Sequence, residues 1–137
     1  MNRFAWLLDR LAYEPRRNGN TSPDTSPSSV FRCADGAFYV NSGNDKIFQR
    51  LVQAIGQPGL ATDPRFADRV GRVRNRDQLF PILEEAFARH SWSHWRAVFR
   101  ERAIPSGEVR TLAQALHSPE ATARGLVTRI PHPVAGW

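Results

Sequence analysis

The sequence predicts an α+β fold: a short β-hairpin or small sheet with several helices packed on it. Two observations carry this. Residues 31–41 alternate apolar and polar on either side of Asp35-Gly36, the period of a half-buried strand pair. From Ile47 onward, apolar residues recur at helical spacing in successive segments punctuated by Gly, Pro and capping residues. The chain has 137 residues, 41% hydrophobic and 23% charged, enough for one domain with a core.

Taken in order, Phe4, Leu7, Leu8 and Leu11 predict a helix over 2–13 whose apolar face needs a partner surface. Residues 14–29 hold three prolines and no apolar period, which reads as a functional loop or as a disordered connector. Within it, Asn18-Gly19-Asn20 is a turn signal able to place backbone N–H groups near a ligand. Phe31 to Cys33 and Phe38 to Asn41 are the strands, with Asp35-Gly36 as a two-residue turn. Ser42-Gly43-Asn44 breaks the pattern. Asn44 caps a helix, Asp45 suits its positive first turn, and Gly56 fits the position just past its end.

Pro58, Gly59 and Pro64 predict short helical turns joined by bends, with Asp63 as a cap. Residues 75–90 read as a helix, with Asn75 and Gln78 placed like a capping box and Pro81 implying a late start or a kink. Residues 91–103 read as a helix capped by Ser91 or Ser93, its Trp92, Trp95, Val98 and Phe99 forming a core stripe. Glu108 to Arg110 read as a short extended segment. Thr111 caps a helix through Leu116, Ser118-Pro119 opens another that Gly125 closes, and Leu126 to Ile130 alternates as a strand.

Charge narrows the partners. The formal net charge is +6, and 18 of the 19 basic residues are arginine. Arg65, Arg69, Arg72, Arg74 and Arg76 fall within twelve residues and read as a solvated face, or as a surface for an anion or an acidic partner. No recognition helix, aromatic stacking motif or low-complexity basic tail is present, so no nucleic-acid partner is expected. No apolar run of membrane-spanning length exists, so no membrane partner is expected either. One cysteine, Cys33, excludes an internal disulfide, reads as an inert buried thiol, and fits a cytoplasmic location. His90 and His94 stand four apart, but Ser91 and Ser93 interrupt the helix between them and no third ligand supports a metal. Asp45 alone stands where chemistry is plausible, at a Gly-containing turn opening a helix; its other reading is a helix-dipole partner.

The stretches RRNGNTSP, FRCADGAFYVNSGNDKIFQRL, GQPGLATDPRF, RVRNRDQL, WSHWRAVFRERAIPSGEV and SPEATARGLVTRIPHPVAG, in this order and spacing, resemble the C-terminal part of a class III CoA-transferase, the group of carnitine and bile-acid CoA-transferases. The resemblance implies a small α+β domain inserted into a large doubly wound α/β domain. It divides this chain into a helix and linker from the large domain (1–29), the small domain (30–118) and the start of a returning large-domain segment (119–137). It implies transfer of CoA between carboxylic acids through an aspartyl-CoA thioester, with coenzyme A as substrate, no covalently bound cofactor and an interlocked homodimer at full length. The nucleophilic aspartate belongs to the family's N-terminal half, and no Asp here stands in its motif. Relatives that racemise 2-methylacyl-CoA place an acid near the thioester, offset by about a residue from Asp45. Gly43 and Asn44 flank that position, and Asn18, Gly19 and Asn20 match a loop that shields the active site in formyl-CoA transferases. A non-catalytic module that binds acyl-CoA or a partner subunit, and a racemase fragment, are the alternatives.

Overall fold

The computed structural model describes Ala5, residues 17–128, Pro131 and Val134. Apart from Ala5, the helix predicted over 2–13 lies outside the described residues, as does most of the tail after 128.

Three antiparallel strands form one sheet in the order β1 (Ser28–Cys33), β2 (Gly36–Asn41), β3 (Ser106–Glu108). Phe31 stands opposite Phe38 and Ser29 opposite Val40, so side chains alternate between two faces. One face carries buried Phe31, Phe38 and Val40. The other presents Arg32, Tyr39 and Asn41 to solvent, with the Tyr39 hydroxyl 2.6 Å from the Ser28 hydroxyl.

The hairpin turn differs from the predicted one. Cys33 pairs with Gly36, so the turn residues are Ala34 and Asp35, neither at positive φ, and Gly36 belongs to β2. A tertiary contact sets this position. Asp35 Oδ1 accepts the backbone N–H of Trp92 at 2.7 Å, tying the hairpin to a helix 57 residues away.

Helices cover the apolar face. α1 (Asp45–Ala54) starts where Asn44 Oδ1 accepts the Lys46 N–H, and Gly56 follows it at φ +74°. A 3₁₀ turn (Pro58–Ala61) and an Asp63-closed turn lead to α2 (Arg69–Arg74), capped by Asp68. α3 (Arg76–Ala88) and α4 (Trp92–Glu101) follow, the latter capped by Ser91. α5 (Leu112–Leu116) opens with a capping box at Thr111, and α6 (Pro119–Ala123) with Ser118.

Phe87 of α3 lies edge-on to both Phe31 and Phe38, at 5.2 and 5.0 Å. Trp92 and Phe99 of α4 lie 5.3 and 5.5 Å from Phe38. The indole N–H of buried Trp95 donates to the Phe87 carbonyl, so its burial leaves no donor unmet. Phe48, Leu51 and Val52 of α1 and Leu79 and Leu83 of α3 complete the cluster. Each such side chain contributes about 1.5–3 kcal/mol.

Of the two outcomes expected for Pro81, the late start does not occur, since α3 begins at Arg76, and three further expectations need correction. The missing proline N–H would have met the carbonyl of Asp77, an exposed residue. Asn75 is no capping-box residue; its Nδ2 donates to the carbonyls of Arg65 and Gly71. β3 lies two residues earlier than the extended segment predicted at Glu108 to Arg110. Residues 126–128 form no strand; Leu126 and Val127 are exposed, and 129–130 lie outside the described residues.

Candidate functional site

The sequence left residues 14–29 as loop or connector and the arginines as a solvated face or a partner surface. In the structure, part of each makes the other. Arg69, Arg72 and Arg76 stand at i, i+3 and i+7, and all three reach back to one backbone segment. Arg69 donates through Nε and Nη2 to the Asp24 carbonyl at 3.2 and 3.1 Å. Arg72 donates through Nε to the Ser26 carbonyl at 3.0 Å. Arg76 donates to the Ser22 carbonyl. The carbonyls of Ser22, Asp24 and Ser26 are therefore met by side-chain donors, while the Pro27 carbonyl accepts the Ser42 N–H.

Arg72 does most of this. It is 0% exposed, against every expectation for a surface run. Beyond Ser26 it donates to the carbonyls of Phe66 (3.0 Å) and Gly43 (2.9 Å) and to Asp45 Oδ1 (2.6 Å). Its guanidinium carbon lies 4.5 Å from the centre of the Phe48 ring. One side chain thus fixes the turn before α1, the segment before β1 and the bend before α2. A guanidinium suits this because its fork of donors is rigid and planar.

Above Arg72 lies a cleft of about 290 Å³ lined by Thr25, Gly43, Asn44, Asp45 and Arg69. Gly43 is required by crowding: a Cβ there would lie 2.0 Å from Thr25 Cγ2. Asn44 spends Oδ1 on the helix cap, leaving its amide hydrogens for other acceptors. Asp45 binds Arg72 through one oxygen and is 56% exposed. The cleft therefore offers an amide donor, the Nη1 of an Arg69 whose Nε and Nη2 are already engaged by Asp24, and a carboxylate, around a backbone with no side chain. That set can orient a carboxylate or a carbonyl.

Of the predicted site residues, the structure brings Gly43, Asn44 and Asp45 together. Asn18, Gly19 and Asn20 do not line this cleft. They form a separate turn, closed by the Thr21 N–H and hydroxyl on the Asn18 carbonyl, with Gly19 at φ +58°. Thr25 lines the cleft and has no signal in the sequence, whereas Arg69, which lines it, and buried Arg72 read only as members of a solvated or anion-facing arginine run. The i, i+3, i+7 spacing of the arginines was the available signal.

The remaining candidates lie elsewhere. Cys33 is half-buried and its Sγ–H points to Asp35 at 3.3 Å; burial raises its pKa, which suits an unreactive thiol. His90 and His94 stack with ring centres 4.1 Å apart. Among the described residues, no group of three or more His, Cys, Asp or Glu is placed to hold a metal ion, and no helix is long and apolar enough to cross a membrane.

A sequence model described as CoA-transferase family III matches residues 3–137. The chain belongs to that family. It is 36% identical over 115 residues to the acetyl-CoA:oxalate CoA-transferase of Acetobacter aceti, covering 84% of this chain and 30% of that protein. It is 34% identical over 121 residues to the succinyl-CoA–D-citramalate CoA-transferase of Chloroflexus aurantiacus, covering 88% and 30%. The crystal structure of a CaiB/BaiF family protein from Brucella suis matches with a TM-score of 0.79 at 30% identity, over 96% of this chain and 38% of that one. The chain spans about 30% of the length of these curated family III relatives. The small α+β fold agrees with this family.

Proposed function

We propose that this chain is the smaller lobe of an enzyme that moves CoA between carboxylic acids, and that the cleft at Gly43-Asn44-Asp45 is where this lobe meets the acyl group. The observation that supports it is the Arg72-held turn, which presents donor groups and a carboxylate about one residue from the position the family resemblance marks as close to the thioester.

In this reading an aspartate outside this chain attacks the acyl-CoA carbonyl. The oxyanion collapses to a mixed anhydride as CoA thiolate leaves. The thiolate attacks the aspartyl carbonyl, freeing the first acid and leaving an aspartyl-CoA thioester, and the second acid reverses these steps. Asn44 and Arg69 orient the acid's carboxylate, and Asp45 sets the far side of the pocket. The turn at Asn18-Gly19-Asn20, shortly before the clamped segment, closes over the site and limits hydrolysis of the anhydride. Residues 1–29 and 119–137 join the 30–118 lobe to a larger domain. The assembled protein is a cytoplasmic homodimer that uses CoA as a substrate and holds no covalent cofactor.

The test mixes this chain with a separately produced polypeptide carrying the rest of the family's length and follows CoA transfer from succinyl-CoA or acetyl-CoA to dicarboxylic acids by mass spectrometry. Transfer is expected in the mixture alone. Asp45→Asn and Asn44→Ala each lower kcat/KM about tenfold or more. Turnover by the isolated chain, or an active mixture indifferent to both substitutions, removes the proposal. Micromolar binding of succinyl-CoA with no turnover in the mixture favours a non-catalytic module instead. Exchange of the 2-proton of a 2-methylacyl-CoA without transfer favours a racemase.

A further inference from the structure

A second concavity, of about 480 Å³, lies away from the cleft described above. Its lining runs along both α4 and the chain that returns from it: Trp92, Arg96 and Arg100 on successive helical turns, then Ile104 to Glu108, with Arg110 beyond. α4 ends at Arg102 and Ala103, the latter at φ +50°, and the chain doubles back as β3. The groove therefore follows the outer side of β3, which is the edge strand of the sheet.

That edge is open. Asn41 N–H donates to the Pro105 carbonyl and Val109 N–H to the Ala37 carbonyl, each at 3.0 Å, and Tyr39 stands opposite Gly107. In an antiparallel ladder, Pro105, Gly107 and Val109 then face β2, and the N–H and C=O of Ser106 and Glu108 face outward. Among the described residues these outward groups have no partner.

The wall opposite is cationic. Arg96 and Arg100 make no hydrogen bond or ion pair among the described residues, whereas Arg110 is held by Glu108 at 3.0 Å and Glu120 at 3.1 Å. Three arginines against one glutamate leave the lining at +2. Residues four apart on a helix rise by ~6 Å. Alternate residues of a strand are separated by ~6.6 Å. Two acidic side chains at alternate positions of an extended segment thus match Arg96 and Arg100 while its backbone meets Ser106 and Glu108.

We propose that this groove receives an extended acidic peptide segment, which adds to β3 as a fourth strand and pairs its alternate carboxylates with Arg96 and Arg100. A second copy of this chain fits less well, because edge-to-edge pairing brings like charges together and the chain carries +6 overall. A phosphate fits less well because the outward groups alternate donor with acceptor. The proposal makes no use of the cleft at Gly43, so it stands or falls independently of the transferase reading.

The test uses the full 137-residue chain and a short fluorescein-labelled peptide alternating glutamate with valine, followed by fluorescence anisotropy and by amide hydrogen exchange. Saturable binding is expected, with the matching lysine–valine peptide at least about tenfold weaker. The double variant Arg96→Ser, Arg100→Ser is expected to bind at least about fivefold more weakly with an unchanged thermal melt, since both side chains are exposed. On the unaltered chain, the amides of Ser106 and Glu108 gain protection and that of Gly107, already bonded to β2, changes little. Absence of binding, equal binding of the lysine peptide, no added protection at Ser106 and Glu108, or displacement by equimolar pyrophosphate overturns the proposal. Self-association of the chain at the same edge, seen as concentration-dependent protection without peptide, overturns it in favour of a dimer contact.

Discussion

Replacing Arg72 asks whether the clamp works through its ion pair or through its hydrogen bonds to carbonyls. Arg72→Met keeps most of the side-chain volume and removes every donor. The carbonyls of Ser26, Gly43 and Phe66 then lose the guanidinium they accept from inside the protein. An unmet buried polar group costs about 1–3 kcal/mol, and some relaxation lets water reach the segment before β1. The expected loss is about 3–5 kcal/mol, a large share of the ~5–15 kcal/mol typical of a domain. The partner carboxylate behaves differently. Asp45 is 56% exposed and returns readily to water, so Asp45→Asn is expected to cost under about 1 kcal/mol. Arg72→Lys falls between, about 2–3 kcal/mol, because an ammonium keeps the charge but cannot reproduce the planar fork. Urea denaturation followed by tryptophan fluorescence reads all three as midpoint shifts at constant slope. If Asp45→Asn costs as much as Arg72→Met, the ion pair carries the energy and the reasoning from carbonyls is wrong.

Three further outcomes follow from the geometry. Gly43→Ala is expected to destabilise by about 1–3 kcal/mol through contact with Thr25 Cγ2, and by markedly less in a Thr25→Ser background that lacks that methyl; a double-mutant cycle with no coupling contradicts the contact. Ala103→Gly is expected to stabilise by about 0.5–1 kcal/mol, since φ +50° strains a residue with a Cβ, and thermal melts decide it. The Trp92 N–H bonded to Asp35 holds that carboxyl below the usual range, so its stabilisation is present above the ordinary Asp pKa and lost as pH falls through the lowered folded value. The advantage of the native protein over Asp35→Ala therefore shrinks on acidification below about pH 4, measured as urea midpoints against pH; a gap that stays constant through that range contradicts the assignment.

Local chemistry made much of the fold readable. Asn44 with Asp45, Gly56, Ser91, Thr111 and Ser118-Pro119 mark helix ends by hydrogen bonds or φ preferences that act within a few residues, and those ends stand where the sequence places them. The strand pair was likewise visible from alternation. What stayed hidden depends on distant partners. The turn falls at Ala34-Asp35, one residue earlier than expected, because nothing nearby reveals the Trp92 N–H that Asp35 accepts. Arg72 reads as surface because its acceptors are backbone carbonyls, which every sequence possesses everywhere. The cleft was half legible for the same reason. Gly43, Asn44 and Asp45 form a contiguous turn, whereas Thr25 and Arg69 join it only through the fold.

The arginine clamp also imposes an order on how the molecule comes into being. Its acceptors at Ser22, Asp24 and Ser26 precede their donors by 45 to 54 residues. At ~5–20 residues per second, a growing chain makes Ser22 to Ser26 roughly 2–10 s before Arg69, Arg72 and Arg76. During that interval the stretch before the hairpin lacks the donors that shape it. One wall of the pocket is therefore assembled late, after the strands it adjoins have already been synthesised.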